Sequence, residues 1–162
     1  VAASLEATDW AVITQLQRDG RITISELARR INLGATATAE RIKRLEADGV
    51  ITGYQARIDL AKIGLPVLAI VRLQYTRSRH APLHQLVEQR AEILECQRVT
   101  GENCYILKIA AETTNHLEKL VSELTTFGQT TTNLVYSETL PYRVPRAVDD
   151  QDHPTAMSLK AL

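Results

Sequence analysis

Thr36, Ala37, Glu40, Arg41, Lys43 and Arg44 recur at helical spacing along one face of the stretch 35–48. Short polar and charged side chains in that pattern suit two kinds of contact. Hydrogen-bonding groups read the edges of base pairs in a major groove, and cations meet phosphates. On such a helix Thr36, Ala37 and Glu40, near the N-terminal half, would face bases. Arg41, Lys43 and Arg44 would meet phosphates, which set register without reading sequence. Arg21, just upstream, completes the candidate DNA-binding set. An ordinary solvated helix face has the same spacing, so the neighbouring elements must decide.

Other reactive residues form no comparable set. His80 and His84 are separated by Pro82 and lack further ligands, so no metal site is expected. No Ser-His-acid set, phosphate loop or carboxylate pair stands out, which leaves no positive case for catalysis or a cofactor. Cys96 and Cys104 flank one expected hairpin. If Val99 lies opposite Cys104, Cys96 lies opposite Leu107, and the two thiols point to opposite faces. A disulfide between them is not expected.

Composition adds limits. The 162 residues carry 19 Lys plus Arg and 19 Asp plus Glu, so bulk charge offers no argument for nucleic acid. DNA binding has to rest on a local surface. The longest apolar run, Val67 to Val71, is too short for a membrane span or a signal peptide. With two cysteines and no disulfide framework, a cytoplasmic location is expected.

The elements that position the charged face are legible. Leu5 to Asp19 carries Val12, Ile13 and Leu16 at helical spacing, and Gly20 stops it. Thr23 and Glu26 have the spacing of a capping box, and Ile22 and Leu27 that of a hydrophobic staple. A short second helix should start there. Asn32 suits a left-handed turn after it, and Gly34 can cap a third helix from Ala35 to Asp48. The inner face of that third helix reads Ala35, Thr38, Ile42 and Leu45. Val50 to Ile58 alternates around Gly53 as a small hairpin would. Two short helices with a tight turn between them make a helix-turn-helix over residues 1–59.

Gly64 and Pro66 mark a hinge, 60–66. Beyond it, over 67–140, the pattern becomes strand and helix in alternation. Strands are expected at 67–75, 93–99, 105–110 and 130–140. Pro82 begins one helix with Leu83, Leu86 and Val87. Asn115 and Glu118 suggest a capping box for another, holding Leu117, Leu120, Val121 and Leu124. The order βαββαβ is the ferredoxin-like arrangement, so the whole chain is α+β. Val67, Ala69, Val71 and Leu73 line one face of the first strand, but Leu68 and Ile70 occupy the other. Two helices cover one face only, so a second sheet from a partner chain is expected, giving at least a homodimer. A partly apolar exposed face is the alternative. Residues 141–162 read as a tail with an acidic run at Asp149, Asp150 and Asp152.

Three segments together resemble the leucine-responsive regulator/AsnC, or feast/famine, family. They are Leu5 to Asp9, Asp19 to Ala28, and Arg41 to Tyr54; the likeness continues through Ile63-Gly64 and Thr100-Gly101 to about Leu140. The resemblance implies a winged helix-turn-helix, with the 50–58 hairpin as its wing, in a transcription regulator of amino-acid metabolism that binds double-stranded DNA. It implies dimers through the C-terminal sheets, further assembly to an octamer, and a small-molecule effector, often an amino acid. The effector would sit beside Thr100, Gly101, Glu102, Asn103 and Cys104. Amides at Gly101 and Glu102 can hold a carboxylate there, and an acidic side chain an amino group. Two departures stand out. Gly34 replaces the usual Ser, and Cys104 replaces an expected Asp, so Glu102 takes the acidic role, the ligand differs, or no free amino acid binds. The N-terminal unit has as many acidic residues as basic ones, so one copy should bind DNA weakly and assembly should supply avidity.

Overall fold

The computed structural model describes residues 5–76, 79–101 and 104–140. They divide into two compact units, 5–56 and 57–140.

The N-terminal unit holds three helices: α1 (Ala7–Arg18), α2 (Ile24–Arg30) and α3 (Ala35–Ala47). Their apolar stripes meet in a core of Val12, Leu27 and Leu45, with Ile13, Leu16, Ile22 and Ile42 packed against it. Thr23 caps α2, its hydroxyl accepting the Glu26 amide at 3.2 Å. The return bond of the expected capping box is absent. The Glu26 carboxylate turns instead to Arg29 and Arg30, at 2.8 Å from each. Those arginines hold its carboxyl down at about 2, Arg29 contributing most. Both ion pairs are exposed and add little stability.

The turn between α2 and α3 follows from one residue. Asn32 adopts φ 55°, and the Leu33 amide reaches back to the Ala28 carbonyl at 2.9 Å. That is a Schellman closure, with Asn accepting the left-handed conformation. Gly34 then caps α3, whose inner residues Thr38 and Leu45 are buried. Ala35, expected on that inner face, is exposed.

The hairpin expected at 50–58 does not form. No strand ladder occurs over those residues. Gly49, at φ 67°, closes α3, and the amides of Val50 and Ile51 both bond the Leu45 carbonyl, at 2.9 and 3.0 Å. The first residues of the would-be strand are thus used to end the helix. The Tyr54 hydroxyl donates to Glu46 at 2.9 Å rather than crossing to a partner strand. An isolated hairpin with so few residues left is marginal.

The C-terminal unit holds β1 (Val67–Tyr75), α4 (Ala81–Gln89), β2 (Ile93–Arg98), β3 (Tyr105–Ala111), α5 (Thr114–Thr125) and β4 (Gly128–Leu134). The sheet order is β2-β3-β1-β4, with every neighbour antiparallel. This is the ferredoxin-like topology that the sequence order implies. The helices pack on the face carrying Ala69, Val71, Leu73, Leu107 and Ile109, all fully buried, and add Leu83, Leu117, Leu120 and Leu124. Thr113, two residues before the expected cap, starts α5 by accepting the His116 amide at 3.1 Å. The last strand is also shifted. It runs from Gly128 opposite Tyr75 to Leu134 opposite Ala69, and stops there because β1 begins at Val67, behind Pro66. The other sheet face carries Leu68, Ile70 and Ile106, half-buried among Arg72, Lys108 and Asn133.

Candidate nucleic-acid interface

The N-terminal half of α3 presents the residues expected to read bases. Thr36, Ala37 and Glu40 are exposed, and so are Lys43 and Arg21. Gly34 sets the start of the helix with an extended conformation and no side chain of its own. Thr38 is turned inward. Its hydroxyl donates to the Gly34 carbonyl at 2.9 Å, which satisfies it inside the core.

Arg41 and Arg44 are placed differently from Lys43. Both reach across to the start of α1. Arg41 donates through Nη1 to Asp9 at 2.7 Å and through Nη2 to Glu6 at 2.9 Å. Arg44 donates through Nη2 to both Asp9 oxygens, at 2.7 and 2.9 Å. Asp9 is fully buried. It also accepts the Glu6 amide at 3.0 Å, so its carboxylate closes the first turn of α1 as well. Burial alone would push the Asp9 carboxyl up. The Glu6 amide, the Arg41 hydrogen bond and the charges of Arg44 and Arg41 outweigh it and hold the group below its ordinary 3.8.

Asp9 and Glu6 lie outside the candidate set that the sequence suggests. The signal was present. Leu5, Asp9, Val12, Ile13 and Leu16 form one helical stripe, so Asp9 occupies a core position. A carboxylate on a core stripe demands a cation, and Arg41 and Arg44 sit three apart on the facing helix.

The Thr100–Cys104 turn is described in part. Thr100 and Gly101 are exposed, and Gly101 takes φ 100°. The Val99 amide bonds the Cys104 carbonyl at 2.8 Å, closing the turn as expected. Glu102 and Asn103 lie outside the described residues. Cys104 does not point away from the core. Its thiol donates to the Tyr75 carbonyl at 3.8 Å, and both it and Cys96 border the same core. The expected alternation fails because Cys104 precedes the first paired residue of β3, whereas Cys96 sits opposite Leu107 as read. Burial pushes the Cys96 thiol up, away from reactive thiolate.

Nearby, the buried Tyr105 hydroxyl lies 2.8 Å from His80 Nδ1 and 3.2 Å from His84 Nε2. The two imidazoles are therefore engaged by a phenol. Among the described residues no group of three or more His, Cys, Asp or Glu is placed to hold a metal. Among them, too, no helix is long and apolar enough to cross a membrane.

Comparison with known proteins places both units. Residues 5–52 match the winged helix-turn-helix DNA-binding family, and residues 68–145 match the Lrp/AsnC ligand binding domain. The Bacillus subtilis transcriptional regulator LrpC is 32% identical over 134 residues, covering 83% of this chain and 93% of its own length. The Mycobacterium tuberculosis regulator LrpA is 34% identical over 126 residues, covering 76% and 83%. The solved structure of B. subtilis LrpC superposes with a TM-score of 0.81 over 84% of this chain and 97% of that one. A feast or famine regulatory protein of M. tuberculosis, solved with L-methionine, has 30% identity and a TM-score of 0.80 over 88% and 99%. These relatives are transcription regulators rather than enzymes. On the helix-turn-helix, the ferredoxin-like sheet and these matches together, the chain belongs to the Lrp/AsnC, or feast/famine, family of transcription regulators.

Proposed function

We propose that this protein binds specific double-stranded DNA through α3 and adjusts that binding to a small metabolite, with an amino acid the first candidate. The observation that carries the reading is the exposed N-terminal half of α3, where Thr36, Ala37 and Glu40 stand clear of the core. These residues read base edges. Lys43 and Arg44, with Arg21 nearby, meet phosphates, while Arg41, expected among those cations, is taken up by Asp9 and Glu6. The balanced charge of the N-terminal unit makes one copy a weak binder. A dimer through the outer sheet face around Leu68 and Ile70, assembling further to an octamer, supplies the missing avidity. A regulator of this kind works beside the chromosome, which favours the cytoplasm.

Selection of binding sites from random duplexes tests the α3 assignment. Glu40→Ala should change the selected sequence, with about 1–3 kcal/mol of discrimination lost at one base position. Lys43→Ala should weaken all sequences alike and lower the salt slope by about one. Uniform weakening by Glu40→Ala would remove it from the base-reading set.

The effector belongs beside Thr100, Gly101 and Cys104, together with Glu102 and Asn103. Two relatives solved with methionine, from M. tuberculosis and Neisseria meningitidis, support an amino-acid ligand. The resemblance puts an acid where Cys104 stands, and a carboxylate there can pair with an ammonium. Cys104→Asp should therefore raise affinity for free amino acids roughly tenfold, in line with a charge-assisted hydrogen bond. Calorimetry with an amino-acid panel on both proteins reads this directly. No gain at any amino acid would move the pocket elsewhere and favour DNA bridging without an effector.

A further inference from the structure

The two arginines that Asp9 holds are not held alike. Arg41 is enclosed by carboxylates. One nitrogen faces Asp9, another faces Glu6, and the side chain is only 24% exposed. Arg44 is 50% exposed and gives Asp9 a single nitrogen, Nη2. Its Nε and Nη1 take no hydrogen bond among the described residues, and Arg44 lies one helical turn after the exposed Glu40. A planar guanidinium tethered at Nε by its own chain and at Nη2 by a buried carboxylate keeps little freedom in its remaining donors. Asp9 can act as that fixed point because it is itself immobile: fully buried, on a helix, and bonded to the Glu6 amide.

We propose that Asp9 is the positioning residue of the DNA-binding face, pinning one edge of the Arg44 guanidinium and aiming its other donors at a phosphate. This rests on the reading of α3 as the DNA-facing helix. Metal sites use a comparable device, in which an outer carboxylate orients the side chain that meets the ligand. An unrestrained arginine on this face would lose side-chain freedom on meeting DNA. In this protein that freedom is lost on folding. Arg41 serves mainly to balance the second half of the Asp9 charge, and so lets a full carboxylate stay buried beneath a surface that must attract anions.

The sign of one substitution separates positioning from plain electrostatics. Asp9→Asn removes a negative charge near the DNA. If Asp9 merely competed with phosphates for Arg44, its neutralisation would tighten binding. Positioning requires the opposite. With the full-length chain, Asp9→Asn should weaken binding to duplex DNA about tenfold and lower the salt slope by about one. Combined with Arg44→Gln it should add nothing, because the residue it aims is already gone. A general structural defect would add its loss to that of Arg44→Gln. Equal or tighter binding by a folded Asp9→Asn, or full additivity in the pair, overturns the proposal while leaving the DNA-binding reading intact. Absence of DNA binding by the unmodified chain would overturn both. If Asp9→Asn unfolds the N-terminal unit, as its Trp10 fluorescence would reveal, Arg44→Lys takes its place. A lysine keeps the charge but cannot share one rigid fork between Asp9 and a phosphate. It should show the same tenfold loss, and unchanged binding would overturn the proposal.

Discussion

Gly128→Ala should unfold the C-terminal unit at a much lower denaturant concentration than the native chain, with the N-terminal unit unaffected. At Gly128 an added Cβ would lie 2.0 Å from the Gln74 carbonyl oxygen and 3.0 Å from its carbon. The obstacle is backbone, so no side chain can swing aside. Gly128 is also where β4 begins, opposite Tyr75. Relief of the clash has to move β4 away from β1 and open the sheet edge over Leu73. Forcing atoms into a packed site typically costs 1–3 kcal/mol, and a backbone obstacle puts this case at about 3 kcal/mol or more. The chain provides its own control. The only tryptophan is Trp10, in α1, so its fluorescence follows the N-terminal unit. Circular dichroism and amide exchange of the β1 residues follow the sheet. The sheet transition should move and the Trp10 transition should not.

Arg41→Ala should give the largest loss in the N-terminal unit among the surface residues of α3. It removes one of two cations from a fully buried carboxylate, and an under-satisfied buried group costs about 2 kcal/mol. Acid sensitivity should change with it. Asp9 is held below its ordinary 3.8 in the folded chain, so its contribution is complete above that value and is lost as pH falls through the depressed one. With Arg41 gone, two of the causes that hold the group down are gone, so the loss should be complete at a higher pH and the less stable unit should unfold at a higher pH. Trp10 fluorescence during acid titration of the two proteins measures the shift. Coincident titration curves would mean that Arg44 and the Glu6 amide suffice alone. Any weakening of DNA binding by Arg41→Ala must be read after this stability effect is removed.

The parts of the fold that were legible in the sequence are those set by local chemistry. Thr23, Asn32 and Gly34 each fix a helix end by a short-range bond or a left-handed turn, and each stands where the pattern places it. The alternation in β1 marked the buried face because a two-residue period is a property of the strand itself. The misreadings lie where a distant partner decides. The end of β4 is set by where β1 begins, and that is a matter of register between segments about sixty residues apart. The hairpin at 50–58 failed because the Leu45 carbonyl claimed its first amides. Arg41 looked like an outward cation because helical periodicity gives direction only to within a turn. Asp9, thirty-two residues away, draws it sideways. The exposure of Thr36, Ala37, Glu40 and Lys43 was therefore legible in the sequence, but the pairing of Arg41 and Arg44 with Asp9 was not.

The proposed function is recognition of particular DNA with a response to a metabolite. The most direct measurement is recovery of fragments from a genomic pool by the full-length protein, at physiological salt, with and without a mixture of amino acids. The account predicts strong enrichment of a small group of fragments over random duplex, loss of that enrichment in Glu40→Ala, and a change in occupancy when amino acids are added. Fragments recovered no better than random duplex at any salt concentration would contradict it.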